Sequence, residues 1–180
     1  MKTQEEIKNR QEIFLNSYNP MRSEERAVQS GINAAIRFAH AYTPGTTYQQ
    51  KIEIKKYWEE LLKKLGGKYK KVRTEREFLD DITSMVALMN EKFPNDFNYN
   101  EYHKGFRIAQ AQKSLSVYLK HMWCMGKTEI PPVCPIDRTI LGEKWIYDDL
   151  EMYKKHLCCV KKKNNTDNPM SVWELFEFYR

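Results

Sequence analysis

The sequence predicts an all-α fold, a compact helical bundle, and three observations carry that expectation. Apolar residues recur at spacings of three and four along most of the 180 residues, the signature of helices with one buried face. No segment of useful length alternates with the two-residue period of a strand, and no internal repeat is visible. The strongest breakers, Thr43-Pro44-Gly45 and the Gly66-Gly67 doublet, fall between the periodic stretches. The length suits a single domain spanning residues 1–180, large enough to bury most of the surface its unfolded chain exposes.

Residues 3–18 carry Ile7, Ile13, Phe14 and Leu15 among charged neighbours and stop before Asn19 and Pro20. The next helix opens at Ser23, with Glu24 and Glu25 in a first turn whose dipole favours acids. It runs to Tyr42 through Val28, Ile32, Ala35, Ile36 and Ala39. After the breaker at 43–47, residues 48–65 place Ile54, Tyr57, Trp58, Leu61, Leu62 and Leu65 on one face. Residues 74–93 repeat the pattern with Phe78, Leu79, Ile82, Met85, Val86 and Met89, a stripe that reads as core. A polar and aromatic connection at 94–102 follows. Near the other end, residues 141–157 carry Trp145, Ile146, Leu150 and Tyr153, residues 161–168 form a polar turn, and residues 171–179 carry Val172, Trp173, Leu175 and Phe176.

Composition bounds the function loosely. Lys+Arg 30 against Asp+Glu 24 gives a formal net charge of +6 and an isoelectric point of about 9.0, which suits an anionic partner. The densest basic run, residues 63–76, has Tyr69 inside it. There Lys68, Lys70, Lys71 and Arg73 could neutralise nucleic-acid phosphates, or simply face solvent. No apolar run approaches the roughly 20 residues that cross a bilayer, and the first fourteen residues lack a signal peptide's apolar segment. A soluble, intracellular, cytoplasmic protein acting as a monomer is expected. The adjacent Cys158 and Cys159 lack the spacing of a zinc knuckle. Convergence of His121, His156, Cys124 and Cys134 on a metal is the alternative to four buried, reduced thiols, which are the default. No metal and no cofactor is expected.

The chain is organised around residues 112–141. A helix carrying Lys113 and Lys120 leads through the proline-stiffened connection KTEIPPVC to Pro135, Ile136 and Asp137, where a second helix opens. The two lysines are seven residues apart, which at about 100° per residue is nearly two full turns, so both leave one helix face. Asp137, placed before Ile140 and Leu141, stands where a cap is expected and where the helix dipole favours a carboxylate. Lysine and aspartate then face each other across a loop.

KSLSVYLK followed by PPVCPIDR resembles the catalytic core of the helix-hairpin-helix DNA glycosylase superfamily, and most nearly the archaeal-type 8-oxoguanine DNA glycosylases. The resemblance covers about thirty residues well. Upstream, Asn33, Ala34, Ala35 and Ile36 resemble the family's first core helix, and Tyr57 and Trp58 an aromatic near its base pocket. GFRIAQAQ supplies only Gly105 where the superfamily has a Gly-hydrophobic-Gly turn, so the hairpin core is degenerate. Ala39 and His40 stand near the place of the family's purine-reading glutamine.

The resemblance implies a bundle with a cleft between an N-terminal and a central helical group, and a DNA glycosylase with AP-lyase activity on damaged duplex DNA. Lys113 matches the Schiff-base nucleophile, Asp137 the essential aspartate and Lys120 the second lysine. Trp58, Trp123, Arg138 and His40 would then help to hold a flipped base, 8-oxoguanine or another modified base. From another class comes a helical module that binds DNA or protein without chemistry, which would need neither Lys113 nor Asp137.

Overall fold

The computed structural model describes residues 1–36, 41–98, 104–142 and 149–179. Within them the chain forms eight α-helices and one 3-10 turn, with no strand: α1 (Gln4–Tyr18), α2 (Glu24–Ile36), α3 (Tyr48–Gly66), the 3-10 turn Gly67–Lys70, α4 (Glu75–Lys92), α5 (Ile108–Cys124), α6 (Arg138–Leu141), α7 (Leu150–Lys163) and α8 (Met170–Phe178). The all-α bundle is what the periodicity demands. No helix among the described residues is long and apolar enough to cross a membrane.

Local sequence fixes the helix starts. Thr3, Thr47 and Thr74 each accept a hydrogen bond from the amide three residues on, and Glu6, Gln50 and Glu77 reach back to the capping residue's own amide. These reciprocal boxes satisfy donors that a helix N-terminus otherwise leaves open. At the joint of α1 and α2, the buried side chain of Asn19 donates to the Ser23 carbonyl at 2.9 Å and accepts from the Ser23 amide at 3.0 Å.

Helix α5 is the axis. Ile108, Ala111, Leu115, Tyr118, Leu119 and Met122 join a main core built with α2, α3, α4 and α7. Trp123 and Cys124 join a second core with Ile7, Phe14 and Leu15 of α1 and Val172 and Leu175 of α8. Helix α2 packs closest: a Cβ on Gly31 would stand 2.5 Å from the Ser114 carbonyl oxygen. Trp58 of α3 is fully buried, donates from Nε1 to Ser114 Oγ at 3.0 Å and meets Phe106 edge-on at 4.7 Å.

Side-chain amides tie down the chain segments that precede and follow α5. Before it, Asn90 of α4 donates to the Phe106 carbonyl at 2.9 Å and accepts from the Phe106 amide at 2.6 Å. The neighbouring Gly105, at φ +74°, occupies a left-handed turn that a larger residue would strain, and an added Cβ would stand 2.8 Å from Asn90 Oδ1. After it, Gln112 makes the equivalent clip with Ile136, described below.

The structure departs from the sequence expectations in three places. The helix expected to run to Tyr42 is described only to Ile36; Ala41 and Tyr42 are not helical, and Ala39 and His40 lie outside the described residues. The helix expected over 141–157 is two: α6 stops at the left-handed Gly142 (φ 78°), and α7 begins at Leu150, capped by Asp149. Trp145 and Ile146 lie outside the described residues. Finally, α7 runs on to Lys163, so the first three residues of the expected polar turn are helical. Lysines suit the negative end of a helix dipole, which is why a polar triplet extends the helix here.

The Gly31 contact gives a first prediction. Alanine is the better helix former by about 1 kcal/mol, yet its Cβ would meet backbone that cannot swing aside, so Gly31→Ala is expected to lower stability by about 1–3 kcal/mol, as overpacking does. Denaturant midpoints of the two proteins check this; a stabilised variant would show that α2 and α5 stand further apart.

Candidate active site

Lys113 projects from the second turn of α5, and its Nζ lies 2.6 Å from Oδ2 of Asp137. The other carboxylate oxygen, Oδ1, accepts from the Ile140 amide at 3.2 Å, so Asp137 caps α6 while pairing with Lys113. Burial works against ionisation of this carboxyl, but Lys113, with the amides of Ile140 and Thr139, outweighs it and holds Asp137 below the usual carboxylate range. The pair is reachable from solvent: the side chains are 19% and 41% exposed.

Two neighbours in sequence or space set this geometry. Gln112 Nε2 donates to the Ile136 carbonyl at 2.9 Å, and its Oε1 accepts from the Ile136 amide at 3.4 Å. The residue before the lysine thus grips the residue before the aspartate. Ser171 of α8 donates its hydroxyl to the carbonyls of Pro131 (2.8 Å) and Val133 (3.0 Å), fixing the proline-rich connection from its other side. Val133, Cys134 and Ile136 are buried beneath it.

Lys120 leaves α5 two turns later and is sealed inside. It pairs with Glu174 of α8, the two side chains being 3% and 2% exposed, and its ammonium stands 4.1 Å from the centre of the Tyr179 ring. Burial opposes both charges. For Lys120 the pull of Glu174 and Tyr179 outweighs burial and keeps the ammonium form, whereas burial raises the Glu174 carboxyl against the pull of Lys120. The ion-paired form is favoured, because the aromatic face also rewards a cation. Lys120 therefore cannot reach a substrate as the resemblance implies; Glu174 holds it in the core.

Other residues singled out from the sequence are also placed. Trp58 and Trp123 are core side chains, one in each hydrophobic cluster, so neither is open to stack on a base. Arg138, the first residue of α6, is exposed beside Asp137. His40 lies outside the described residues. In the basic run, Lys68 (2.6 Å) and Arg73 (3.1 Å) turn onto Asp81 of α4, a buried carboxylate that also accepts from the Tyr69 hydroxyl at 3.0 Å. Lys70 and Lys71 remain exposed. Cys124 and Cys134 are buried, and burial pushes the Cys124 thiol up to about 12. Cys158 and Cys159 instead face outward on α7, because Tyr153, Leu157 and Val160 take its inner face. Among the described residues no group of His, Cys, Asp and Glu could hold a metal ion.

Two open hollows of about 520 and 430 Å³ lie along α1, lined by such residues as Lys8, Glu12 and Met125 in one and Ile7, Ile130 and Pro169 in the other. Neither includes Lys113 or Asp137, and we weigh the paired charges above these shallow surfaces as the chemically equipped site. Comparison with protein-family models, with curated proteins and with solved structures finds no match for this chain.

Sequence reasoning missed Glu174, Gln112, Ser171 and Asp81. A signal existed for Glu174: it is a lone carboxylate between Val172, Trp173 and Leu175, and a charge in an apolar helix requires a buried partner.

Replacing Lys120 by methionine strands Glu174 without a counter-charge, with an expected loss of about 3–5 kcal/mol, while Lys120→Met with Glu174→Leu should return near or above the starting stability. A double-mutant cycle on denaturant midpoints reads the difference; additive losses would mean the two side chains do not meet.

His121 is buried beside Lys120, with the Phe14 ring tilted against it at 4.9 Å and its Nδ1 lacking a hydrogen-bond partner among the described residues. Burial, then Lys120 and Arg26, depress its pKa from 6.5 to about 4. Between those values the unfolded chain binds a proton that the folded one does not. Stability should therefore fall as pH drops from about 6.5 towards 4, by up to about 1.4 kcal/mol per pH unit from this residue. His121→Gln should flatten that segment of the pH–stability curve; an unchanged slope would assign the acid sensitivity to other groups.

Proposed function

We propose that this chain is a DNA glycosylase with AP-lyase activity, which removes a damaged or modified base with Lys113 as nucleophile and Asp137 as its carboxylate partner. One observation carries the reading: residues 24 apart in sequence meet at 2.6 Å, held by the Gln112 clip, at a position open to solvent.

Chemically, the Lys113 amine forms a bond to C1′ of the deoxyribose while the bond to the base breaks, its electron pair leaving with the base. Loss of a proton from nitrogen and opening of the sugar ring give a Schiff base, and elimination then severs the 3′ phosphate ester. Attack requires Lys113 as the free amine. Its proton passes by way of Asp137, the carboxylate in contact, to the departing base, and Asp137, an anion again, faces the positive charge developing on the sugar. The target nucleotide must leave the duplex to reach this position. Trp58 and Trp123 being internal, the wall of the base site belongs to other residues, and 8-oxoguanine is the first substrate to try because KSLSVYLK and PIDR point to it.

Duplexes holding one abasic site, 8-oxoguanine, uracil or modified cytosine test the reading. Cleavage should be strongest at the abasic site, because a Schiff base forms there whatever base once stood, with 8-oxoguanine next. Borohydride should trap a covalent adduct that Lys113→Gln abolishes without unfolding the protein. Asp137→Asn should slow excision more than it weakens binding, since a carboxylate serves the charged transition state. If no duplex is cut or trapped, the chain is a binding module without chemistry.

A further inference from the structure

We infer that the C-terminal turn of α7, with Lys162 at its centre, joins Lys70 and Lys71 in one phosphate-binding edge that leads duplex DNA to the Lys113–Asp137 pair. This rests on the reading above and adds to it the surface that holds the strand.

The contacts of two flanking lysines define the edge. Lys163 donates from Nζ to the carbonyls of Ile140, at 3.2 Å, and Leu141, the last turn of the helix that Asp137 caps. Its ammonium is therefore about one helical turn from the candidate catalytic carboxylate. Lys161 pairs through Nζ with Glu75 at 2.6 Å, at the first residue of α4. Glu75 follows Lys71 by four residues, so the two Cα atoms are at most about 14 Å apart even along a fully extended chain. The last turn of α7 thus touches the Asp137 helix on one side and, on the other, the start of α4, into which the basic connection from the 3-10 turn leads.

Between those anchors Lys162 is exposed, and Lys161 keeps 53% of its side chain exposed while paired. Lys70 and Lys71 are likewise exposed, whereas Lys68 and Arg73 point to Asp81 and stiffen the connection that carries them. A polyanion fits this arrangement and a neutral ligand does not. Lysines at a helix C-terminus also oppose the helix dipole, a purely structural role worth about 0.3–1 kcal/mol. That role predicts no dependence of a partner's affinity on Lys162, so the two accounts separate by experiment.

The experiment measures affinity for a duplex carrying a reduced, uncleavable abasic site against salt concentration. Compared are the unaltered protein, the Lys71→Gln/Lys162→Gln variant, and Lys8→Gln on α1 as a control. Two lost phosphate contacts should make the slope of log affinity against log salt shallower by about 1.8, at 0.9 per contact, while Lys8→Gln leaves it unchanged. At saturating abasic duplex the double variant should still form the Lys113 adduct. Salt-dependent binding with the same slope in the double variant and the unaltered protein overturns the edge and leaves the catalytic reading standing. Absence of binding by the unaltered protein overturns both. A slope reduced equally by Lys8→Gln overturns the edge in favour of diffuse net charge.

Discussion

Helix α5 is buried along most of its length, and the polar groups it carries inward need partners. Several of them are met by atoms brought from elsewhere in the chain. Glu174 comes from α8 for Lys120, Trp58 from α3 for Ser114, and the Ile136 backbone for Gln112. Lys113 alone of the two lysines lies at the rim of this enclosure, where its partner is a capping carboxylate that solvent also reaches. One helix thus carries both a lysine locked in the core and a lysine that solvent reaches, and the difference between them is where the surrounding helices end.

Asp81 plays the corresponding part for the basic surface. A carboxylate buried in α4 gathers Lys68, Arg73 and Tyr69, so that a stretch reading as a run of free positive charge is a folded connection with some of its cations turned inward. Burial of an acid is tolerable only with such company. The cations left outside are fewer than the composition suggests, but they stand on a rigid base.

Much of the fold was legible because its causes are local. The three-four spacing of Phe78, Ile82, Met85 and Met89 is a property of one helix, and so is the order of breaker, cap and apolar face that delimits α3 and α4. The facing of Lys113 and Asp137 was also legible, since helix, short proline-stiffened connection and cap follow one another directly. Helical spacing also placed Lys120 on the same face as Lys113, but it could not tell that the wall opposite that face changes from solvent to α8 within two turns. Nor could it distinguish a tryptophan beside a pocket from Trp58, sealed against Phe97 and Phe106. Such distinctions depend on residues about 40 or more positions away, and periodicity holds no information at that range.

Chains are made from the N-terminus, and the order of assembly matters for the pair that α8 completes. The acid that will neutralise Lys120 is made 54 residues after it, well after α5 is complete. Until it arrives, Lys120 has every reason to stay in water, and the Ser171 hydroxyl that fastens the proline-rich connection is also missing. The nascent protein can therefore hold most of its helices before Lys120 is sealed in and the connection that leads to Asp137 is fastened from its far side.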